Sequence, residues 1–359
     1  MNGLENFRTM MAGGRPERLP FDVTATPPFC DVVERETGTR DVVEALGADF
    51  RGLGIPVPDR SKQWREAYRA LGLEFDDNFT VDSMGTVHAI PPRETLGAAY
   101  HLMEMAHPLA AVESTRQLEA LPWPDLKDHG LYRGLPERVR QVHAEGRGTV
   151  AGLACTVFES TWYLRGMDLF FLDLLDGNPI TPWLMDWFEA RARRMAEEYA
   201  RAGADVLQLG DDIGSQRGML MSVEMWREHL KPRLARVIRA AKDANPSIWI
   251  FYHSDGDVRE IVPDLIEIGV EILNPVQPEC MPLDELFAQF GDRLAFWGMI
   301  GTQTTMPFGT PSDVRAAVEH LRDWARRGAK LVVAPTHVLE PDVPWENALA
   351  LLDAVHEPI

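Results

Sequence analysis

Polar and titratable side chains stand at the ends of several short apolar runs in this sequence. Asp211 and Asp212 follow one run, and His253 and Asp255 follow the next run along the chain. Histidine and aspartate together supply the atoms that bind divalent metals and the groups that transfer protons near neutral pH. The whole set comprises Asp22, Asp211, Asp212, His253, Asp255, Asn274, Gln277, Cys280 and His337. These residues are the candidates for the chemistry of the protein.

Two chemistries suit this set. His253 and His337, together with a carboxylate such as Asp255 or with Cys280, can hold Zn²⁺ through three protein ligands, which leaves one position open for a substrate. The same histidines can instead act as acids and bases without a metal, while like-charge repulsion makes the paired aspartates differ in proton affinity. Ligands drawn from different strands have no fixed spacing in a sequence. Both chemistries therefore stay open at this point.

A further carboxylate, Glu159, lies between an apolar run and an aromatic segment. The run covers residues 149–157, and the segment 160–165 includes Trp162 and Arg165. This order predicts that Glu159 lies beside aromatic side chains at the end of a strand. A catalytic role and a structural role are equally good interpretations for it.

Structural roles compete with functional ones at several of these positions. His253 can be a hydrogen-bonded residue that closes a strand, and one of Asp211 and Asp212 can cap a helix. Cysteine is more often a small buried side chain than a ligand, and this applies to Cys280. The irregular first half adds three histidines that are interpreted as structural or substrate-contacting: His88, His101 and His107.

The apolar runs alternate with amphipathic segments of helical length, which predicts a βα repeat. Eight runs qualify as strands: 19–22, 49–52, 149–157, 206–210, 248–252, 270–273, 293–297 and 330–334. Helices are predicted at 221–244, 258–268, 283–290 and 312–327. Eight parallel strands close a barrel whose active site lies at the C-terminal strand ends. We therefore predict an α/β fold, with a single (β/α)₈ barrel domain over 1–359 and an elaborated insertion at about 56–146.

The composition argues against several classes of protein. The chain has 36 Lys and Arg against 55 Asp and Glu, and its formal charge of −19 opposes binding to nucleic acid. No apolar run reaches the roughly eighteen residues that span a bilayer, and the first residues lack the features of a secretory signal. Three scattered cysteines cannot form a disulfide framework. We expect a cytoplasmic protein that acts on a small molecule.

Five segments carry a resemblance to a known group of proteins: 158–167, 210–216, 252–256, 272–277 and 335–347. Together and in this order they resemble the uroporphyrinogen-decarboxylase superfamily, over about residues 15–357. The resemblance implies a (β/α)₈ barrel that is often dimeric. It also implies one of two activities, since the superfamily contains porphyrinogen decarboxylases and zinc-dependent methyltransferases that work with corrinoid proteins.

Two departures from the superfamily pattern separate these activities. The decarboxylases hold their substrate carboxylates with arginines of an N-terminal segment, whereas the matching residues 21–25 contain no arginine. A mouth rich in aspartate would also repel a polycarboxylate substrate. The methyltransferases resemble this chain where they bind zinc with a His-x-Cys pair and a later Cys, and the matching residues here are His253, Asp255 and His337. This set suits Zn²⁺, Fe²⁺ or Mn²⁺ and is less suited to activating a thiol.

The leading hypothesis is a metal-dependent enzyme that acts on a small aromatic or methylated compound, neutral or cationic, with methyl transfer, including O-demethylation, as the first reaction. The expected metal is zinc, with His253, Asp255 and His337 as ligands and Cys280 as a further candidate. The expected catalytic residues are Asp22, Glu159, Asp211 and Asp212. The expected substrate contacts are Trp162, Arg165, Gln216, Asn274, Gln277 and Trp297.

Partners and alternatives follow from the same residues. The sequence contains no Asp-x-His-x-x-Gly motif for cobalamin, so a corrinoid would arrive on a partner protein. The resemblance implies a homodimer. One alternative is a metal-free decarboxylase or other lyase for a small tetrapyrrole-like or aromatic acid, with His337 and Asp22 transferring protons. Another is a ligand-binding protein without catalytic activity.

Overall fold

The structure is a computed structural model that describes residues 1–89 and 105–359. Its strands are β1 (Phe50–Leu53), β2 (Phe79–Val81), β3 (Val87–Ala89), β4 (Met105–Ala106), β5 (Gly148–Leu153), β6 (Val206–Leu209), β7 (Gly214–Ser215), β8 (Gly218–Met219), β9 (Trp249–His253), β10 (Ile272–Asn274), β11 (Ala295–Ile300) and β12 (Lys330–Pro335). Its helices are α1 (Gly3–Met11), α2 (Pro27–Thr37), α3 (Val42–Ala45), α4 (Ser61–Ala70), α5 (Thr115–Glu119), α6 (Leu135–Ala144), α7 (Phe158–Arg165), α8 (Met167–Asp176), α9 (Ile180–Arg201), α10 (Val223–His229), α11 (Lys231–Ala244), α12 (Val262–Ile268), α13 (Leu283–Phe290), α14 (Thr305–Phe308), α15 (Pro311–Arg326) and α16 (Trp345–His356). Short 3₁₀ helices cover His129–Leu131 and Arg259–Ile261.

A parallel sheet in the order β1-β5-β6-β9-β10-β11-β12 forms the centre of the fold. Residues 19–23 take the eighth position and join the two edges of this sheet. The Asp22 N–H donates to the Val333 carbonyl of β12, and the Asp49 N–H donates to the Phe21 carbonyl just before β1. The sheet therefore closes on itself. The predicted (β/α)₈ barrel is confirmed, with its first strand reduced to a bridge.

The side chain of Asp49 holds this first strand in place. Its carboxylate accepts hydrogen bonds from both Nη atoms of Arg18, at 2.7 and 2.6 Å, and from the Phe21 N–H at 2.9 Å. Asp49 is 3% exposed, and paired hydrogen bonds between a guanidinium and a carboxylate are among the strongest in proteins. Asp22, the next residue after Phe21, is thereby positioned at the barrel mouth.

The predicted helices correspond to observed ones, with two differences. Segment 258–268 begins as the 3₁₀ helix Arg259–Ile261 and continues as α12. Segment 283–290 is α13, and 312–327 corresponds to α15, which begins at a capping box formed by Thr310 and Asp313. Segment 221–244 is two helices rather than one. Pro232 lacks a main-chain N–H, and its ring would clash with a carbonyl of the preceding turn, so the chain ends α10 and starts α11. Within the described residues, no helix combines the length and apolar character needed to cross a bilayer.

Residues 56–146 include elements that lie outside the barrel repeat. Helix α4 and the antiparallel sheet β2-β3-β4 form a small apolar cluster in which Trp64 and Tyr68 pack with Leu184 and Phe188 of α9. This cluster attaches the segment to the outer layer of the barrel. His101 lies outside the described residues. The division into one domain with an insertion stays a prediction.

Helix α1 fills the N-terminal end of the barrel. The ring of Phe7 packs edge-on against Phe50, with centroids 5.1 Å apart, and against Trp297 at 6.1 Å. Phe251 contacts the same indole at 5.2 Å. These four rings seal one end of the barrel and form the floor of the space above them.

Replacing Phe7 by alanine tests this floor. Phe7 is fully buried, so its loss leaves a cavity beside the rings of Phe50 and Trp297. We expect Phe7→Ala to lower the free energy of unfolding by about 3–5 kcal/mol. Phe308→Ala is the control, because Phe308 is 79% exposed and its loss should cost no more than about 0.5 kcal/mol. Urea denaturation measures both, and similar values for the two variants would contradict the packing described here.

Candidate active site

A cavity of about 540 Å³ opens at the C-terminal ends of the barrel strands. Aromatic side chains from the floor, Phe50, Phe251 and Trp297, line its lower part. The polar side chains around it are Asp22, Thr24, Gln208, His253, Asn274, Thr336 and His337. Of the described residues that line it, none is lysine or arginine. The cavity therefore offers an apolar base and a polar rim without a cationic side chain.

Asp22 lies in this cavity above the aromatic floor. Its carboxyl group accepts a hydrogen bond from the side chain of Trp297. Burial raises the pKa of Asp22 to about 7, and nearby Asp49 adds to this effect, while the hydrogen bonds to Asp22 oppose it. A carboxyl group with this pKa can both give and take a proton near neutral pH.

Three side chains from two neighbouring strand ends form the strongest candidate for a metal site. The Nε2 atom of His253 lies 3.4 Å from an Oδ1 atom of Asp212 and 4.0 Å from one of Asp255. One ligand atom from each of the three residues lies within 4.8 Å of the others. His253 lines the main cavity, and Asp255 lines an adjoining cavity of about 180 Å³. The three residues thus stand where the two cavities meet.

Asn274 determines which nitrogen of His253 faces the two aspartates. The Asn274 Nδ2 donates to the Trp297 carbonyl at 2.9 Å, so the Asn274 Oδ1 must accept from His253 Nδ1. Nδ1 therefore carries a proton, and Nε2 is the atom directed at the carboxylates. This is the arrangement in which a neutral histidine offers a lone pair to a metal, with a second hydrogen bond that orients the ring.

Opposing effects act on the protonation of His253. Burial alone would lower its pKa, but the charges of Asp212 and Asp255 and the hydrogen bond to Asn274 outweigh burial, so the pKa of His253 is raised. A cation, either a proton on Nε2 or a metal ion in its place, is thus favoured between these residues.

Asp211 and Asp212 are adjacent in sequence and have different surroundings. The carboxylate of Asp211 accepts hydrogen bonds from the main-chain N–H groups of Val157, Phe158 and Glu159. These three residues lie at the N-terminus of α7. The N-cap residue of α7 is Val157, which has no side chain able to cap, so a residue of another strand does so. Burial raises the pKa of Asp211 to about 6, against the effect of these hydrogen bonds. Asp211 therefore has a structural role, the capping of α7, whereas Asp212 belongs to the candidate metal site.

Glu159 connects α7 to the candidate metal site. It is 5% exposed. Its carboxylate accepts a hydrogen bond from the Tyr163 hydroxyl at 2.5 Å and one from the Asp212 main-chain N–H at 3.1 Å. Burial raises the pKa of Glu159 to about 8, and the charges of Asp212 and Asp211 add to this. Glu159 thus positions the Asp212 main chain and retains its proton more strongly than an ordinary carboxyl group.

The remaining predicted site residues fall into different places. His337 lines both cavities, with its ring centroid 6.4 Å from that of His253. Gln277 lines the smaller cavity and accepts the Gly256 N–H at 3.4 Å. Cys280 packs partly buried against the main core, outside the three-residue group. His337 and Cys280 therefore do not join His253 and Asp255 in that group, and Asp212 does.

Three predicted substrate contacts have partners within the protein. All three guanidinium nitrogens of Arg165 donate hydrogen bonds within the protein, to the Asp173 carboxylate and to the main-chain carbonyls of residues 109, 110 and 112. Arg165 is 4% exposed. Gln216 is paired with Gln303 on the surface at 2.9 Å. Trp162 packs against Tyr163 and His107. The buried position of Arg165 corrects its interpretation as a substrate contact, because its guanidinium ties the inserted segment to α7 and α8.

Sequence reasoning missed three glycines that face the main cavity: Gly52, Gly54 and Gly152. Apart from the adjacent residues of the chain, no described atom lies within 4 Å of a Cβ built on Gly52 or Gly54. A Cβ on Gly152 would meet only a Gln208 side-chain oxygen, at 3.8 Å. A signal was present in the sequence, because glycine weakens a strand and is used there for a reason. These glycines widen the cavity on the side of β1 and β5.

A closed parallel barrel with titratable side chains at its C-terminal mouth defines the class of barrel enzymes. The chain belongs to the uroporphyrinogen decarboxylase family, whose model, described as uroporphyrinogen decarboxylase (URO-D), matches residues 78–358. The predicted family is confirmed. This is a family of enzymes, which agrees with the site described above.

Two solved structures are similar to this chain at low sequence identity. A methyltransferase from Methanosarcina mazei is 18% identical, with a TM-score of 0.67 over 99% of each chain. A B12-independent methionine synthase from Shewanella sp. W3-18-1 is 14% identical, with a TM-score of 0.43 over 61% of this chain and 64% of that one. None of the curated protein sequences compared matches this chain. The first likeness shows that the barrel and its surrounding elements are shared over the full length.

Replacing each aspartate of the adjacent pair separates their roles. Asp211→Ala leaves the first N–H groups of α7 without an acceptor, so we expect it to lower the free energy of unfolding by about 2 kcal/mol or more. Asp212 is more exposed and accepts one main-chain N–H, from Asp255, so Asp212→Ala should cost about 1 kcal/mol or less. Urea denaturation measures both values. Equal losses would show that Asp211 does not cap α7.

The pKa of Asp22 predicts a pH-dependent stability. Because this pKa is raised from 3.8 to about 7 on folding, the folded protein binds more protons than the unfolded chain between these values. The stability contributed by protonated Asp22 is complete below the unfolded pKa and is lost as the pH rises through 7. Asp22→Asn should abolish this loss. The difference in Tm between the variant and the wild type should therefore increase in favour of the variant by roughly 2 °C or more between pH 5 and pH 8.

Thermal unfolding followed by fluorescence measures this difference. The control is Asp292→Asn, since Asp292 is 80% exposed on the surface. We expect its pH profile to follow that of the wild type. Parallel profiles for the wild type and Asp22→Asn would contradict the raised pKa.

Proposed function

We propose that this protein is a metal-dependent enzyme of its family that removes a methyl group from a small compound, with O-demethylation as the first reaction to test. The acceptor in this proposal is a corrinoid carried by a partner protein. The observation that carries the proposal is the group Asp212–His253–Asp255, with His253 oriented by Asn274, at the edge of a cavity with no cationic lining.

The three residues fit a divalent metal. Ligand atoms of a tetrahedral zinc site, each about 2.0–2.1 Å from the ion, lie about 3.4 Å apart. The separations of 3.4 and 4.0 Å from His253 Nε2 to the two carboxylates are close to this value. One nitrogen and two oxygen ligands suit Zn²⁺, and also Fe²⁺ and Mn²⁺. Three protein ligands leave a position for the substrate, and we propose zinc as the metal.

The chemistry of methyl transfer explains what the remaining residues contribute. When a methyl ether is cleaved, the methyl group moves to the nucleophile and the electron pair of the C–O bond stays on the oxygen. A bound metal would act there as a Lewis acid for that oxygen. Asp22 lies in the same cavity with a pKa of about 7, so it can supply the proton that the oxygen finally takes. Asn274 and Glu159 orient His253 and Asp212, respectively.

The charge of the cavity supports a small neutral or cationic substrate. Its described lining contains Asp22 and two histidines, and no lysine or arginine. A substrate with several carboxylates would find no pairing cation and would be repelled by the nearby aspartates. An unactivated methyl ether is a poor electrophile, so its acceptor must be a strong nucleophile. A reduced corrinoid on a partner protein meets this requirement, and a homodimer of this chain stays a proposal that light scattering can test.

Metal content and methyl transfer test the proposal together. We expect the wild type to bind zinc near one equivalent, and His253→Ala and Asp255→Asn to lose it, while His337→Ala retains it because His337 lies outside the three-residue group. Asn274→Ala should reduce zinc affinity by about 10- to 100-fold, the usual effect of removing a residue that orients a ligand. His320→Ala is the control, since His320 lies on the surface. Elemental analysis and competition with a chromogenic chelator measure these values.

Turnover is measured with reduced cobalamin as the acceptor and with 2-methoxyphenol, methanol or methylamine as the donor. Formation of methylcobalamin, seen in the visible spectrum, is expected with the wild type and His320→Ala, and removal of zinc should abolish it. A wild type that binds no Zn²⁺, Fe²⁺ or Mn²⁺ would rule out the proposal. A wild type that binds ligands but has no activity in any assay would point to a binding protein instead.

A second function, a metal-free lyase for a small aromatic acid, is favoured by one specific observation. Asp22 and His337 both line the main cavity, and the pKa of Asp22 is raised to about 7 by burial, which suits proton transfer. In this alternative, activity persists after metal removal and is lost in Asp22→Asn. The response to a chelator therefore distinguishes the two functions.

A further inference from the structure

We infer that Gly52, Gly54 and Gly152 form a flat wall against which the enzyme holds a planar aromatic ring of its substrate. This inference rests on the proposed function and specifies its substrate as an aromatic methyl ether. We call these three residues the glycine wall.

The glycines of the wall are not required by the backbone. None of the three has a positive φ angle, so any residue could adopt their conformation. Other barrel glycines have such a requirement. A Cβ on Gly210 would lie 1.5 Å from the Ala154 carbonyl oxygen, and Gly298 combines a φ of +117° with a neighbouring carbonyl 2.2 Å from its Cβ position. The wall glycines instead face open space.

The alternation of side chains along two strands shows where this space lies. Phe50, Gly52 and Gly54 lie on the inner face at β1, and all three line the cavity. On β5 the same face carries Val150 and Gly152. Each strand thus presents a large side chain towards the floor and glycine above it, followed just past β5 by the single methyl group of Ala154. Gly52 is paired with Val150 in the register of β1 and β5, so the bare part of β5 begins one alternation higher, where Gly152 lies beside Gly54.

A bare stretch of two strands is a flat surface of peptide groups. A planar ring can approach it to van der Waals distance, whereas a Cβ on either strand would hold the ring away. Glycine within a strand costs about 0.5–1 kcal/mol relative to alanine, so the wall reduces stability without a benefit to packing in the described structure. Accommodation of a ligand accounts for this cost.

The surroundings of the wall define the class of ring. Below it lie the aromatic rings of Phe50, Phe251 and Trp297, which favour contact with another apolar ring. The polar rim of the same cavity carries Asp22 and His253, which suit a substituent oxygen. A cavity of about 540 Å³ exceeds the needs of methanol or methylamine, since pockets for larger organic ligands begin near 300 Å³. An aromatic methyl ether matches both halves of the cavity.

Binding of 2-methoxyphenol, measured by isothermal titration calorimetry, tests the inference without turnover. We expect saturable binding to the wild type and a loss of at least about tenfold in affinity in Gly52→Val and in Gly152→Val, because the added side chain occupies the space of the ring. Valine is β-branched and suits a strand, and the smaller variant Gly52→Ala keeps the test valid if a valine variant does not fold. Gly134→Val is the matched control, since Gly134 is exposed, has an ordinary backbone conformation and has open space at its Cβ.

The results separate this inference from the proposed function. Weaker binding in the wall variants, with unchanged zinc content and unchanged binding by Gly134→Val, supports the glycine wall whether or not methyl transfer occurs. Undetectable binding to the wild type would overturn the inference, and so would equal affinity in the wild type and wall variants. Methyl transfer from methanol or methylamine without binding of the aromatic ether would overturn it while the proposed function stands.

Discussion

Residues 19–23 have no long strand of their own, and their place between β12 and β1 depends on the carboxylate of Asp49. Three hydrogen bonds from Arg18 and Phe21 converge on this buried group, and main-chain hydrogen bonds then join the segment to both edges of the sheet. Closure of the barrel has two consequences for the site. It brings the strand ends that carry Asp22 and His337 to the same mouth as His253, and it encloses a cavity that an open sheet would not have.

Carboxyl groups are concentrated at this mouth, and their different partners give them different properties. Asp211 accepts hydrogen bonds from three main-chain N–H groups. Glu159 accepts hydrogen bonds from a hydroxyl and a main-chain N–H, and Asp22 accepts one from the indole of Trp297. Burial raises the pKa of all three, whereas Asp212 and Asp255 are directed at His253. Such a collection of acids opposes folding unless protons or a cation neutralise it. This is the physical basis for the proposed metal site at Asp212, His253 and Asp255.

The family relation gives the scaffold, whereas the physical character of the cavity limits the kind of substrate. The chain belongs to the uroporphyrinogen decarboxylase family, yet the described lining of the cavity has no cationic side chain to pair with a polycarboxylate. An aromatic floor, a wall of glycine and a rim of acids and histidines instead suit a small ring with a polar substituent. The residues that line the cavity, and not the barrel itself, therefore decide which substrate the protein accepts.

The sequence by itself determined the class of fold and the region of the site. Alternating apolar runs and helical segments gave the strands, and the rule that barrel enzymes work at C-terminal strand ends selected Asp22, His253, Asp255 and His337. Only the tertiary structure decided that Asp211 caps α7 while Asp212 faces His253. It also decided that Arg165 donates to main-chain carbonyls of the inserted segment, and that Gly52 and Gly54 face open space. The physical reason is that local patterns encode burial and main-chain hydrogen bonding within an element. Contacts between residues about 40 to 55 positions apart depend instead on the register of neighbouring strands, which no local pattern contains.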